Sequence, residues 1–481
     1  MKLLVLGMSP QFLRPFVPAI QELARRGHLL TVAWTAESRG GESRLDELVA
    51  TPGVTCRVVP GRRTEHWEEV ALLRRSWNYL RYLEEPYRSA GKLRQRAFMK
   101  AARVLFDAAT PVDEAWADLA LSLSDRERKR LRRVVELVEG VLPVDPVCDA
   151  ILEEEQPDAV LLTPLVDLNA SSQADFAQAA RRRRIPIGML VYSWDNLSTK
   201  GGLHVMPDRV FVWNPRQALE ARRLHGVPRE SIKVVGAPRF DAFLECARKC
   251  THNRFTAALG LPKGTPIVMY VCSSAFVSGQ ELAFVRQWLA ALRTSGLPEV
   301  AGAGVIVRPH PDIPLTSSEE RAEKVDLGDE QRATVWRPFD DPHALVVGTP
   351  SRHPQSLFEC IAHSSVVVGL NTTAEIEAGL LGRPVLSVHA GGAADGQTGT
   401  LHYRYLLEEE GGWVRMATDL AEHVTQLQHA LLATDEQRRE IQRKARLFIR
   451  PRRARKPVTP ILAAAIEREM GALSGAAPRP A

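Results

Sequence analysis

Short apolar runs alternate with amphipathic stretches over two long parts of the chain, and a different pattern interrupts the first of them. Lys2 to Gly7 is an apolar run. The loop MSPQFLRP follows, then a stretch with Phe16, Ile20 and Leu23 at helical spacing, ending at Gly27. Further runs cover His28 to Trp34 and Val54 to Val59. Strand, helix and strand with short connections predict a parallel βαβ unit. The loop after the first strand lies at the carboxyl edge, where open α/β sheets bind ligands. It lacks G-x-G-x-x-G, so no dinucleotide site is expected there.

From about Gly61 to Leu142 the pattern turns to long helical stretches rich in Arg and aromatic residues. Arg74, Arg75, Arg81, Arg88, Lys92, Arg94, Arg96, Lys100 and Arg103 stand against only Glu84 and Glu85. Trp77, Tyr79, Tyr82, Tyr87 and Phe98 are interleaved with them. Such helices can lie on an anionic membrane surface or hold an anionic acceptor. They can equally form a solvated insertion whose aromatics face the core, which is the favoured reading.

Alternation resumes at Ala150, with the strand DAVLLT, a helix ending in Arg181–Arg184, and the strand IPIGMLVYSW. The loop SWDNLSTKGG then releases Asp195, Asn196, Ser198, Thr199 and Lys200 together, with two glycines for turning, a composition suited to an active-site loop. DRVFVW, a helix over Pro215 to His225 and SIKVV lead to Gly236–Arg239, which reads as a hinge. A second alternating part follows: PIVMYVCSS, a helix, GVIVRPHP, a strand around ATVWRP, the helix PQSLFECIAH, and then Gly369 to Val388. This last block reads as a strand end, a polar turn at Asn371–Thr373, a short helix and a buried strand. Thr372 or Thr373 can cap the helix, Glu375 and Glu377 suit its positive end, and Gly382 with Pro384 stops it. The backbone N–H groups of such a turn can receive a phosphate.

At 481 residues the chain exceeds one compact core, and two domains are expected: 1–238 with the insertion at about 61–142, and 239–446. A basic segment, helix and tail follow at 447–481. A net charge of +6 is mild for this length and calls for no nucleic acid. No run of 18 apolar residues exists, and MKLLVLGMSP reads as a first strand rather than a signal peptide, so a cytoplasmic protein is expected. Cys246 and Cys250 are close, but no second pair completes a zinc site, and no metal is expected.

Three strand ends carry the candidate chemistry. Arg308 and His310 end one strand, Ser273 and Ser274 another, and Asn371, Thr372 and Thr373 a third. A guanidinium and an imidazole beside polar turns suit an anion. Glu377 can hold a ribose or simply face the helix dipole.

Two α/β domains, a hinge near Gly236, the RPHP strand end and the LNTTAEIEAGLLGRPVL block resemble the two-domain glycosyltransferase-B superfamily. Within it, the chain is similar to nucleotide-sugar transferases, CDP-glycerol glycerophosphotransferases and non-hydrolysing UDP-N-acetylglucosamine 2-epimerases. The run SWDNLSTKG, VWN and GAPRFD also resembles a bacterial group with this fold, which fixes no substrate. The resemblance implies two Rossmann-like parallel-sheet domains facing a central cleft, with the helical insertion in the first. It implies a nucleotide diphosphate held by His310, Asn371, Thr372 and Thr373, and a ribose held by Glu377. Trp194-Asp195-Asn196 stands where the CDP-glycerol enzymes carry Trp-His-Gly, and the paired glutamates of the epimerases are here split as Glu375 and Glu377.

The function expected is therefore a metal-independent glycosyltransferase. It would use a nucleotide sugar, UDP-type first, as co-substrate, with no bound cofactor, and a saccharide or lipid-linked acceptor in cell-envelope polysaccharide or glycolipid synthesis. Asp195 is the expected general base, and Arg308 and His310 stabilise the leaving phosphate. Asn196 and Lys200 belong to the acceptor loop. A CDP-glycerol-type transferase, an epimerase and a non-catalytic binding protein are the alternatives. Peripheral contact at the inner membrane face, through the basic aromatic helices, goes with the lipid-linked acceptor.

Overall fold

The structure, a computed structural model, describes residues 1–35, 45–60, 64–274, 277–278, 281–310, 323–326, 332–348, 354–451 and 456–475. Pro311, which ends the RPHP run, the start of the insertion at 61–63, part of the basic segment at 452–455 and the tail from 476 lie outside them. The chain forms two compact units, Met1–Arg239 with Ile449–Ala481, and Phe240–Phe448.

The sheet of the first unit holds β1 (Lys2–Gly7), β2 (Leu29–Thr35), β3 (Val54–Val59), β4 (Ala159–Thr163), β5 (Ile187–Leu190), β6 (Arg209–Val212) and β7 (Ile232–Val234). They lie in the order β3-β2-β1-β4-β5-β6-β7, all parallel. The order reverses between β1 and β4, which makes this a doubly wound sheet. Both faces are covered, so β1 is apolar throughout. Leu4 and Leu6 join the core on one face with Leu162 and Phe176. Leu3 and Val5 join the other with Ile20, Leu462, Ile466 and Met470. The helix Thr459–Ser474 thus completes the first unit's core. Where the chain leaves and re-enters this unit, Ala237 N–H donates to Ile449 O at 2.8 Å. Gly236 has φ +106° there, and a Cβ on it would meet Val458 at 2.7 Å.

The insertion carries the helices Trp67–Arg81, Gly91–Leu105 and Asp125–Val141, with the first packed against both of the others. Arg74, Arg81 and Arg94, with Trp77, Tyr82 and Tyr87, are buried. The buried aromatics match the favoured reading, whereas the burial of three arginines corrects the expectation that the basic residues of the insertion are solvated. Arg74 Nε donates to Glu139 at 2.7 Å and its Nη2 to Asp175 at 2.7 Å. Burial pushes the Glu139 carboxyl up, but His204 and Arg74 pull it further down, to about 2. These charges are inside because each has its partner inside.

The second unit holds β8 (Ile267–Val271), β9 (Gly304–Arg308), β10 (Glu323–Asp326), β11 (Arg332–Trp336), β12 (Ala344–Gly348), β13 (Val366–Gly369), β14 (Val385–Val388) and β15 (Val414–Ala417). Their order is β10-β11-β12-β9-β8-β13-β14-β15. The strands from β12 to β15 are parallel, while β10 and β11 form an antiparallel edge. The sheet is therefore mixed rather than wholly parallel. Each unit is Rossmann-like α/β. Among the described residues, no helix is long and apolar enough to cross a membrane.

Candidate functional site

In the second sheet β9, β8 and β13 are neighbours, with Val271 opposite both Arg308 and Gly369. Their carboxyl ends are level. Arg308 and His310, Ser274, and Thr372 and Thr373 follow from these ends, and all five are half-buried. The expected convergence of three strand ends is thus met in the sheet order. Arg308 Nη1 reaches the buried thiol of Cys360 at 3.6 Å, on the helix Pro354–His363.

The turns between these ends are held by two buried carboxyls. After β8, Glu281 Oε2 accepts the Ser273 N–H at 2.7 Å and Oε1 accepts the Tyr270 hydroxyl at 3.0 Å. Ser273 Oγ donates to Leu370 O at 2.6 Å, tying this turn to the end of β13. After β13 the chain turns through Asn371 at φ +66°, a left-handed conformation that Asn tolerates. Glu375 Oε1 accepts the N–H groups of Asn371 and Thr372, at 3.1 and 3.4 Å. A Cβ on residue 369 would lie 2.5 Å from that oxygen, so any larger residue there would displace the Glu375 carboxyl. Burial pushes Glu375 up to about 8, against the opposing pull of Tyr403 and the two amides. Burial likewise pushes Glu281 up to about 7.

Two expectations are corrected. Ser273 was expected to offer donors to a phosphate, but it is fully buried and spends both on the fold. The N–H groups of Asn371 and Thr372 are taken by Glu375, and Asn371 Nδ2 donates to Thr400 Oγ1 at 2.6 Å. Thr373 makes no side-chain cap on the helix Ala374–Leu380. The signal for the Glu375 cap was in the sequence, because Thr372-x-x-Glu375 is the capping-box spacing, whose glutamate folds back onto the Thr372 N–H. Glu377, half-buried, stays on the same helix.

In the first unit, the loop after β5 is ordered from within. Asn196 Oδ1 accepts the Ser193 N–H at 2.9 Å, and the residue is 2% exposed. This corrects Asn196 from an acceptor contact to a loop brace. Asp195 and Lys200 pair at 3.1 Å and are half-buried. The Asp195 carbonyl takes the hydroxyls of Ser198 and Thr199. The insertion supplies the rest of the frame, which sequence reading missed. Tyr82 hydroxyl accepts the Gly201 N–H at 2.8 Å, Asn78 Oδ1 the Gly202 N–H at 2.8 Å, and Arg81 donates to Gly201 O at 2.9 Å.

No family model and no curated protein matches the chain. Among solved structures it is similar to the UDP-GlcNAc 2-epimerase of Methanocaldococcus jannaschii, at 12% identity over 90% of this chain and 94% of that one, with a TM-score of 0.48. It is similar to the Neisseria meningitidis UDP-GlcNAc 2-epimerase bound to UDP-GlcNAc, at 11% over 97% and 100%, with a TM-score of 0.49. The calicheamicin glycosyltransferase is alike at 14% over 98% of each chain, with a TM-score of 0.49. Likeness at these values decides no property of this chain, and its fold rests on the two strand orders.

Proposed function

We propose that the protein is a glycosyltransferase that takes a sugar from a nucleotide-activated donor, UDP-type first, to a saccharide or lipid-linked acceptor. The observation that carries this reading is the level edge of β9, β8 and β13, with half-buried Arg308, His310, Ser274, Thr372 and Thr373 along it. A guanidinium, an imidazole and hydroxyls at adjoining strand ends suit the diphosphate of a donor and the charge that grows on it as it leaves. Asp195 is the proposed general base and Glu377 the proposed ribose contact. A membrane role for the 74–103 helices finds less support, because Arg74, Arg81, Trp77, Tyr82 and Tyr87 are buried within the first unit.

One observation favours a second reading, a protein that binds a nucleotide without turning it over. The amides of Asn371 and Thr372 already have an acceptor in Glu375. A thermal-shift screen against UDP, GDP, CDP, dTDP and CMP, with and without magnesium, tests the proposal. Ligand at 100 times its Kd should stabilise the protein by about 2.7 kcal/mol. A shift with one nucleotide, lost in His310→Ala, together with acceptor-dependent release of that nucleotide from its sugar, supports transfer. A shift with the donor left intact beside acceptors supports the second reading. No shift with any nucleotide removes both.

A further inference from the structure

Away from the strand edge, Cys250, Glu359 and His363 of the second unit bring a thiol, a carboxylate and an imidazole to one point. The helix Pro354–His363 carries Glu359 and His363 four residues apart, hence on one face. Cys250 comes from the chain just before the helix His252–Ala258. His363 Nε2 lies 3.1 Å from Glu359 Oε2 and 3.7 Å from Cys250 Sγ. One donor atom from each residue lies within 4.8 Å of the other two. Tetrahedral zinc, with Zn–N and Zn–O of about 2.0–2.2 Å and Zn–S of about 2.3 Å, sets N and O about 3.3 Å apart and N and S about 3.6 Å apart. The three donors already stand close to these separations.

We propose that Cys250, Glu359 and His363 are three ligands of a zinc site whose fourth position is left to water. The mixed sulfur, nitrogen and oxygen set suits zinc better than magnesium or calcium, which take oxygen alone. Glu359 and His363 are buried, at 0% and 4% exposure, whereas half-buried Cys250 leaves a way in. The carboxylate is already aimed. Its Oε1 accepts the Lys249 N–H at 2.7 Å and Gln355 Nε2 at 2.8 Å, which leaves Oε2 for the ion. The imidazole is fixed by stacking on Phe255, with ring centroids 4.5 Å apart. Its Nδ1 is buried without a hydrogen-bond partner, so every polar partner the ring has is on Nε2. The Cys250 thiolate and Glu359 carboxylate together balance the charge of the ion, and binding expels the thiol proton to solvent. In the sequence, Cys246 and Cys250 stand without a second pair. Folding supplies that pair as Glu359-x-x-x-His363. The same helix carries Cys360 to Arg308, so a bound zinc would fix the element that Arg308 meets at the strand edge.

Without an ion these atoms can still form a thiol–imidazole–carboxylate hydrogen-bond chain, and the test must separate the two states. The full-length protein, prepared without chelator or affinity tag, is loaded with zinc, freed of excess and assayed for metal. In parallel it is titrated with cobalt(II). The expected result is one zinc per chain and a cobalt spectrum with both a thiolate charge-transfer band and the strong visible bands of tetrahedral coordination. Cys250→Ser should lose the charge-transfer band and bind zinc at least tenfold more weakly, with its circular dichroism unchanged. Glu359 and His363 are buried deeply enough that their variants could unfold, so a second measurement uses the unaltered protein. Zinc should slow alkylation of Cys250 at least tenfold while leaving half-buried Cys56, in the other unit, unaffected. Substoichiometric zinc, a cobalt spectrum without the sulfur band, or alkylation of Cys250 at the same rate with and without zinc would each overturn the proposal.

Discussion

Glu375 accepts the backbone N–H of Asn371 at 3.1 Å from a position with no exposure to solvent. Its folded value of about 8 stands above the ordinary 4.5, so the folded protein holds a proton that the unfolded chain releases between these values. Stability from this group is therefore fully present below about pH 4.5 and is lost as pH rises through about 8. Glu281, at about 7, acts in the same direction. Glu375→Gln keeps an acceptor for the amides and cannot ionise. Its melting temperature should fall less steeply than that of the native protein between pH 6 and about 9. Parallel melting curves across that range would mean that Glu375 does not ionise there.

The Arg74 bridge predicts a large loss on truncation. Arg74→Ala removes the buried cation that pairs with both Glu139 and Asp175, at a cost of about 3–5 kcal/mol. Arg74→Lys recovers little, because an ammonium lacks the fork that reaches both carboxylates. Urea unfolding followed by tryptophan fluorescence measures this. A loss below about 1 kcal/mol would show that the pocket fills with water instead.

Tyr82 holds the loop after β5 through a single hydroxyl. Tyr82→Phe strands the buried N–H of Gly201, and about 1–3 kcal/mol is expected to be lost. The change should be local. Amide exchange should speed up over residues 193–202 and stay as it was in the β1–β2 region. Uniform acceleration across the first unit would show that Tyr82 supports the whole core.

Asp195 and Lys200 form a half-buried pair at 3.1 Å, so breaking it should cost less than about 1 kcal/mol of stability. If Asp195 is the base of the proposed transfer, Asp195→Asn lowers kcat by about 10²–10⁴-fold at a nearly unchanged melting temperature. Turnover within threefold of the native rate would return Asp195 to a turn-forming role.

Most strands could be read from the sequence because each is an apolar run with turn residues at both ends. Lys2–Gly7, Val54–Val59 and the run through Val366–Gly369 show this plainly. β12, Ala344–Gly348, is missing from the strands expected above, although ALVVG carries the same signal. Its place beside β9 depends on pairing, which periodicity does not encode. The antiparallel direction of β11 was hidden for the same reason. At the site, the level strand ends follow from alternation, but the use made of their donors does not. Ser273 and Asn371 look like ligand contacts in sequence. Only burial and the fold-back of Glu281 and Glu375 reveal that the fold itself consumes them. The inward turn of Arg74 was likewise invisible, because Glu139 and Asp175 lie far along the chain.

The helix Thr459–Ser474 fills one face of a sheet whose first strand is Lys2–Gly7, with the whole of the second unit encoded between them. During synthesis, Leu3 and Val5 must wait for Leu462, Ile466 and Met470 until every residue of that second unit has left the ribosome. The usual order, in which the leading domain of a nascent chain folds first, thus leaves this leading unit without part of its core. The later-encoded unit can fold while the earlier one keeps an apolar face open until Leu462, Ile466 and Met470 have been made.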